Sequence, residues 1–130
     1  MRNSIHYINK TEYEKLNFCS NTKIAIVDCK TISNWNDYIS VMSKELSFPK
    51  SEWDLNYAGY TDYMMDLDWC KEKSIAVIFM NYHSFLKNDI KLKEFIINKF
   101  QNRILPFWDD EVERVVVDGK KREFNVYCVD

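Results

Sequence analysis

Glycine and proline are nearly absent from this chain, with 2 of each in 130 residues. That scarcity leaves no phosphate-cradling glycine loop, no flexible linker and no low-complexity tract or repeat at which a second domain would announce itself. Histidine is equally sparse: His6 and His83 lie far apart in the chain. Cys19, Cys29, Cys70 and Cys128 are widely spaced, without a Cys-x-x-Cys pair, so the spacing of a zinc site is missing and free, buried thiols are expected. No apolar run approaches the ~18–20 residues of a membrane span, and residues 1–22 are too polar and broken to read as an export signal. A formal charge of -2 excludes a generally basic nucleic-acid binder. The expectation is a soluble, cytoplasmic, single-domain protein over 1–130, without metal or cofactor.

Apolar and aromatic residues are plentiful, at 46% and 15% of the chain, which is ample for one core. Lys23 to Asp28 is a compact β-branched run with the near-continuous apolar character of a central strand, and Ile75 to Met80 repeats the pattern. Between them, Ser33 or Asn34 can cap a helix on which Trp35, Tyr38, Ile39, Met42 and Leu46 recur at helical spacing, ending before Phe48-Pro49. Ile90, Phe95, Ile96, Ile97 and Phe100 supply a later amphipathic helix. Thr11 to Glu14 reads as a capping box opening a short helix toward Phe18. Near the other end, Asp118-Gly119 between two apolar alternations signals a hairpin, whose second arm, Arg122 to Val129, is expected inside the sheet and parallel to the Lys23–Asp28 strand. Strand and helix alternate, as in α/β folds.

The segment from Asp54 to Trp69 is the most distinctive. Read as one helix, it sets Asp54, Ala58, Asp62 and Asp66 on one stripe and Tyr57, Tyr60, Met64 and Leu67 on an apolar seam beside it. Like charges four apart weaken an isolated helix by roughly 0.2–0.5 kcal/mol per pair, a cost that a cationic partner would offset. Tyr57 and Tyr60 suit the core. Trp53 and Tyr63 lie off the seam and suit contact with a partner, since large rigid aromatics anchor interfaces. Trp69 is expected to be structural, and Trp108 has no assignment.

The order and spacing of these pieces resemble the barstar family of intracellular ribonuclease inhibitors. The resemblance runs through Val27-Asp28-Cys29-Lys30-Thr31-Ile32, Lys44-Glu45-Leu46-Ser47-Phe48-Pro49, Asn56, the Ala58 to Asp62 stretch and Asp66-Leu67-x-Trp69. It covers roughly 23–102 and the last strand, leaving 1–22 as an N-terminal extension and 103–130 as a loop and hairpin. It implies a small, mainly parallel three-stranded sheet with helices packed on it. It further implies a non-enzymatic inhibitor, monomeric when free, whose acidic helix blocks the basic active site of a cognate nuclease toxin, with no nucleic-acid or membrane partner. The family's central inhibitory aspartate maps onto Asp62. Other family positions have changed: Ala58 stands where another acid is expected, Thr61 where an aromatic contact is, and Asn102 where a late acid is. Asp54, Asp66 and Asp68 are additional acids here.

Two other readings use the same residues. The aspartates could serve a small metal-dependent α/β hydrolase, or the scaffold could be a protein-interaction domain that no longer inhibits. His83 follows the second strand, where α/β proteins often place functional groups, yet it lacks a second histidine. Lys120-Lys121-Arg122 reads as a solvated hairpin tip.

Overall fold

A computed structural model describes residues 3–49, 55–111 and 122–130, with side chains described through 109 in the second of these segments. Among the described residues, four strands and four α-helices follow in the order β1 (Ile5–Ile8), α1 (Lys10–Glu14), β2 (Thr22–Asp28), α2 (Trp35–Glu45), α3 (Tyr57–Met64), β3 (Ser74–Met80), α4 (Ile90–Lys99) and β4 (Glu123–Val129). The four described strands pair in parallel, in the order β1-β4-β3-β2, so the fold is α/β.

The expected three strands are therefore four. The extra one, β1, comes from the segment expected to be only an N-terminal extension. Two residues tie it down: Asn3 donates to the Arg122 carbonyl at 3.0 Å and accepts from the Phe124 amide at 3.0 Å, while the Ser4 amide donates to Asn125 Oδ1 at 3.0 Å. β4 lies inside the sheet as expected, but between β1 and β3; it does not pair with β2. β2 in turn is an edge strand rather than a central one. Its Ala25 and Val27 are fully buried, whereas Ile24 and Ile26 on the other face are 39% and 46% exposed. β3 shows what a central strand looks like, with Ser74 through Phe79 all buried.

One face of the sheet carries the main core. Ala25, Val27, Val77, Phe79, Phe124 and Val126 meet Tyr38, Met42, Tyr60, Met64, Ile96 and Phe100 from α2, α3 and the α4 region. The opposite face is covered only in part: Ala76, Ile78 and Val129 are closed over by Ile8, Tyr13 and Phe18 of the N-terminal segment. α1 opens on Asn9, whose side chain accepts from the Glu12 amide at 2.8 Å while Glu12 accepts from the Asn9 amide at 3.0 Å. The capping box thus sits two residues before Thr11, and the helix stops at Glu14. α2 starts at Asn34. α4 passes directly into a π-helical turn, Phe100–Ile104, and a second follows at Phe107–Glu111. The Asp118-Gly119 hairpin and the Val112–Val117 arm lie outside the described residues. No helix among the described residues is long and apolar enough to cross a membrane.

Candidate functional site

Asn56 caps α3, accepting from the Gly59 amide at 2.8 Å. This satisfies one of the amides that a helix start leaves unpaired. Two tryptophans then fix the helix from either end. The Trp35 indole donates to the Leu55 carbonyl at 3.1 Å where the chain enters, and the Trp108 indole donates to the Met64 carbonyl at 2.9 Å where it leaves. In between, Tyr60 is fully buried and its hydroxyl meets that of Tyr38 at 2.6 Å. Burial pushes both phenols well above their ordinary pKa, so they stay protonated.

The helix ends at Met64, so the proposed stripe does not run its full length. Ala58 and Asp62 share an exposed face of α3, but Asp66 lies in the turn that follows and Asp68 in the next. Between them Leu67 takes a left-handed backbone with φ 45°, which turns the chain between Asp66 and Asp68. Arg122 braces this turn, donating to the Leu67 carbonyl at 3.2 Å and the Cys70 carbonyl at 2.9 Å. Its guanidinium lies 4.8 Å from the centre of the Trp108 ring, and burial lowers its pKa. Arg122 is thus a brace for the turn rather than part of a solvated basic tip, and Trp108 gains a structural role.

Asp62 is exposed, and its carboxylate makes no hydrogen bond or ion pair to a described residue. The other expected contact residues are placed differently. Thr61 is buried, with its hydroxyl turned back to the Tyr57 carbonyl at 2.9 Å, because a short β-branched side chain on the inner side of a helix finds its own backbone first. Tyr57, expected in the core, is 48% exposed and stacks edge-on with Trp35 at 4.5 Å. Tyr63 is half-buried against Phe48 and Trp69, at 5.1 and 5.3 Å between ring centres. Trp69 is structural, its indole donating to the Leu46 carbonyl at 2.8 Å. Trp53 and Asp54 lie outside the described residues. Asn102 is exposed.

Asp62 borders an open groove of about 380 Å³ between α3 and the late helical region, lined by Tyr57, Ala58, Thr61, Phe95, Lys99 and Arg103 as well. Lys99 and Arg103 were missed in the sequence. Their signal was available as Phe95, Lys99 and Arg103 recurring every four residues, the spacing of one helix face.

Elsewhere, His83 is an exposed hydrogen-bonded residue: its Nδ1 lies 2.7 Å from Asp130 Oδ1, which also accepts the His83 amide at 2.9 Å. Cys29, Cys70 and Cys128 are buried free thiols, and burial raises the pKa of each, Cys128 to about 12. Cys19 departs from expectation by being exposed. Among the described residues, no group of three or more His, Cys, Asp or Glu is placed to hold a metal ion.

These features define an α/β domain with a parallel sheet and an exposed, unpaired carboxylate on a braced helix. No family model matches the chain. No curated protein matches it either. Among solved structures it is similar to the Aeropyrum pernix ORC2 protein, solved as ADPNP and ADP complexes, with a TM-score of 0.56 and 12% identity. The similarity covers 98% of this chain but 35% of that one, so this chain spans about a third of its neighbour. At that identity the likeness extends to the fold alone.

Proposed function

We propose that this chain is a barstar-like inhibitor that binds a nuclease toxin and blocks its active site with the outer face of α3. The observation that carries the reading is Asp62: a carboxylate exposed, unpaired among the described residues, and mounted on a helix whose two ends are held by tryptophan indoles. A recognition charge held this way loses little freedom on binding, and a cation in the partner's cleft supplies its counter-charge. Ala58 shares that face, Tyr63 follows Asp62 on the side packed against Phe48 and Trp69, and Asp66 extends the negative potential from the adjoining turn. Asp54 and Trp53 complete the proposed contact set from the segment preceding the helix.

The hydrolase alternative needs carboxylates converging on a metal, and the described residues offer no such group. A nucleotide, such as those in the ORC2 complexes, would need a phosphate-cradling loop, and with 2 glycines in the sequence there is no candidate for one. An interaction domain without inhibitory activity would use the same surface.

Titrating the purified chain into RNA cleavage by a panel of basic microbial ribonucleases tests the reading. One-to-one loss of cleavage by at least one enzyme, relieved tenfold or more by Asp62→Ala, is the expected result. Cleavage unaffected across the panel, or inhibited equally by wild type and Asp62→Ala, overturns it.

A further inference from the structure

The groove beside Asp62 is not uniformly acidic. Its charged lining comprises Asp62 together with Lys99 and Arg103, which approach from the α4 side. Neither cation forms an ion pair with a described residue, although Lys99 Nζ lies 5.5 Å from the centre of the Phe95 ring. Lys99 is half-buried and Arg103 exposed, so both heads are available to a partner seated in the groove. Tyr57 and Phe95, with ring centres 4.8 Å apart, form its apolar wall.

We infer that Lys99 and Arg103 belong to the same docking surface as Asp62, and that the surface fits a protein which sets a carboxylate beside the cation that pairs with Asp62. This rests on the inhibitor reading of α3 and adds the partner's charge pattern to it. A wholly cationic cleft would satisfy Asp62 but bring its remaining charge against two cations, and like-charge juxtaposition at an interface is a strong means of rejecting wrong partners. A nucleic-acid backbone would pair with the cations but would run its phosphates past Asp62. A mixed acidic and basic protein surface satisfies all three groups and can lay an apolar side chain against Tyr57 and Phe95.

Barnase, used as a basic ribonuclease probe, tests the inference by calorimetry at two ionic strengths. The Lys99→Glu/Arg103→Glu chain is expected to bind it at least tenfold more tightly than wild type, with the gain shrinking at high salt. Adding Asp62→Ala to that variant should remove the gain. Lys30→Glu/Lys87→Glu makes the same change of net charge in another cleft and should give no comparable gain. An equal gain from that control overturns the inference, as does an absence of binding by every chain. If wild type binds, Asp62→Ala weakens it and the double reversal changes nothing, the cations lie outside the interface and the inhibitor reading survives without them. A gain that persists when Asp62→Ala is added sinks the Asp62 assignment itself.

Discussion

The hydroxyls of Tyr38 on α2 and Tyr60 on α3 meet at 2.6 Å, with both side chains fully buried. One hydroxyl donates and the other accepts, in a space otherwise filled by Trp35, Phe79 and Phe85 rings. The helix carrying Asp62 is therefore registered to the core by a polar bond in an apolar setting. Such a bond costs more to break halfway than to remove altogether.

Tyr60→Phe should lower stability by about 1–3 kcal/mol, because it strands the Tyr38 hydroxyl without a partner. Tyr38→Phe should cost a similar amount, and the double phenylalanine variant less than the sum of the two. Urea denaturation of the three variants measures this coupling. Strict additivity would show that the hydroxyl contact contributes nothing of its own.

Edge protection is the role of Glu45. Its carboxylate accepts the Ile26 amide of β2 at 2.8 Å, covering a donor on the open edge next to the exposed Ile24 and Ile26 side chains. Open apolar edges template pairing with other strands. Glu45→Ala is expected to leave the fold intact but increase self-association, seen by light scattering across a concentration series. A variant that stays as monodisperse as wild type would show that the edge is guarded by something else.

The acid limb of the stability curve should depend on Asp37. The Ser33 amide at 2.9 Å and hydroxyl at 2.8 Å both donate to its carboxylate, and these bonds hold its pKa below the ordinary value of 3.8. A depressed folded-state pKa contributes stability that is fully present above the unfolded value and is lost as pH falls through the folded one. Stability should accordingly decline below about pH 4. In Asp37→Asn that part of the decline should vanish, which melting curves between pH 2 and 6, taken as a range of roughly two units either side of that value, would reveal.

Cys19 should be the one fast-reacting thiol of the native chain. It is exposed, and the Thr22 hydroxyl 3.2 Å away lowers its pKa, whereas Cys29, Cys70 and Cys128 are buried with raised values. Thiolate fraction and access together set the rate. Labelling with a chromogenic disulfide should show one rapid equivalent before denaturation and four after it, and Thr22→Val should slow the rapid phase. More than one rapid equivalent would mean that a buried thiol opens readily.

Local patterns in the sequence settled much of this architecture. The helical recurrence of Tyr38, Ile39, Met42 and Leu46 and the unbroken apolar run of β3 identify their elements from neighbouring residues alone, since periods of 3.6 and 2 are properties of the local backbone. Asn34 as a cap was among the residues offered, and the alternation of strands and helices gave the α/β class. Strand order was a different matter. β2 and β3 look alike as apolar runs, yet one is an edge and the other central, because neighbours in a sheet are chosen by pairing across the chain. The same holds for Asp66, which lies in the turn beyond the end of α3 at Met64 and not on the helix that carries Asp62. It holds also for Lys99 and Arg103, which come to Asp62 only because α3 and α4 pack on one face of the sheet. Spacing along the chain fixes what a segment becomes; the charges that share a groove are decided by packing between segments remote in sequence.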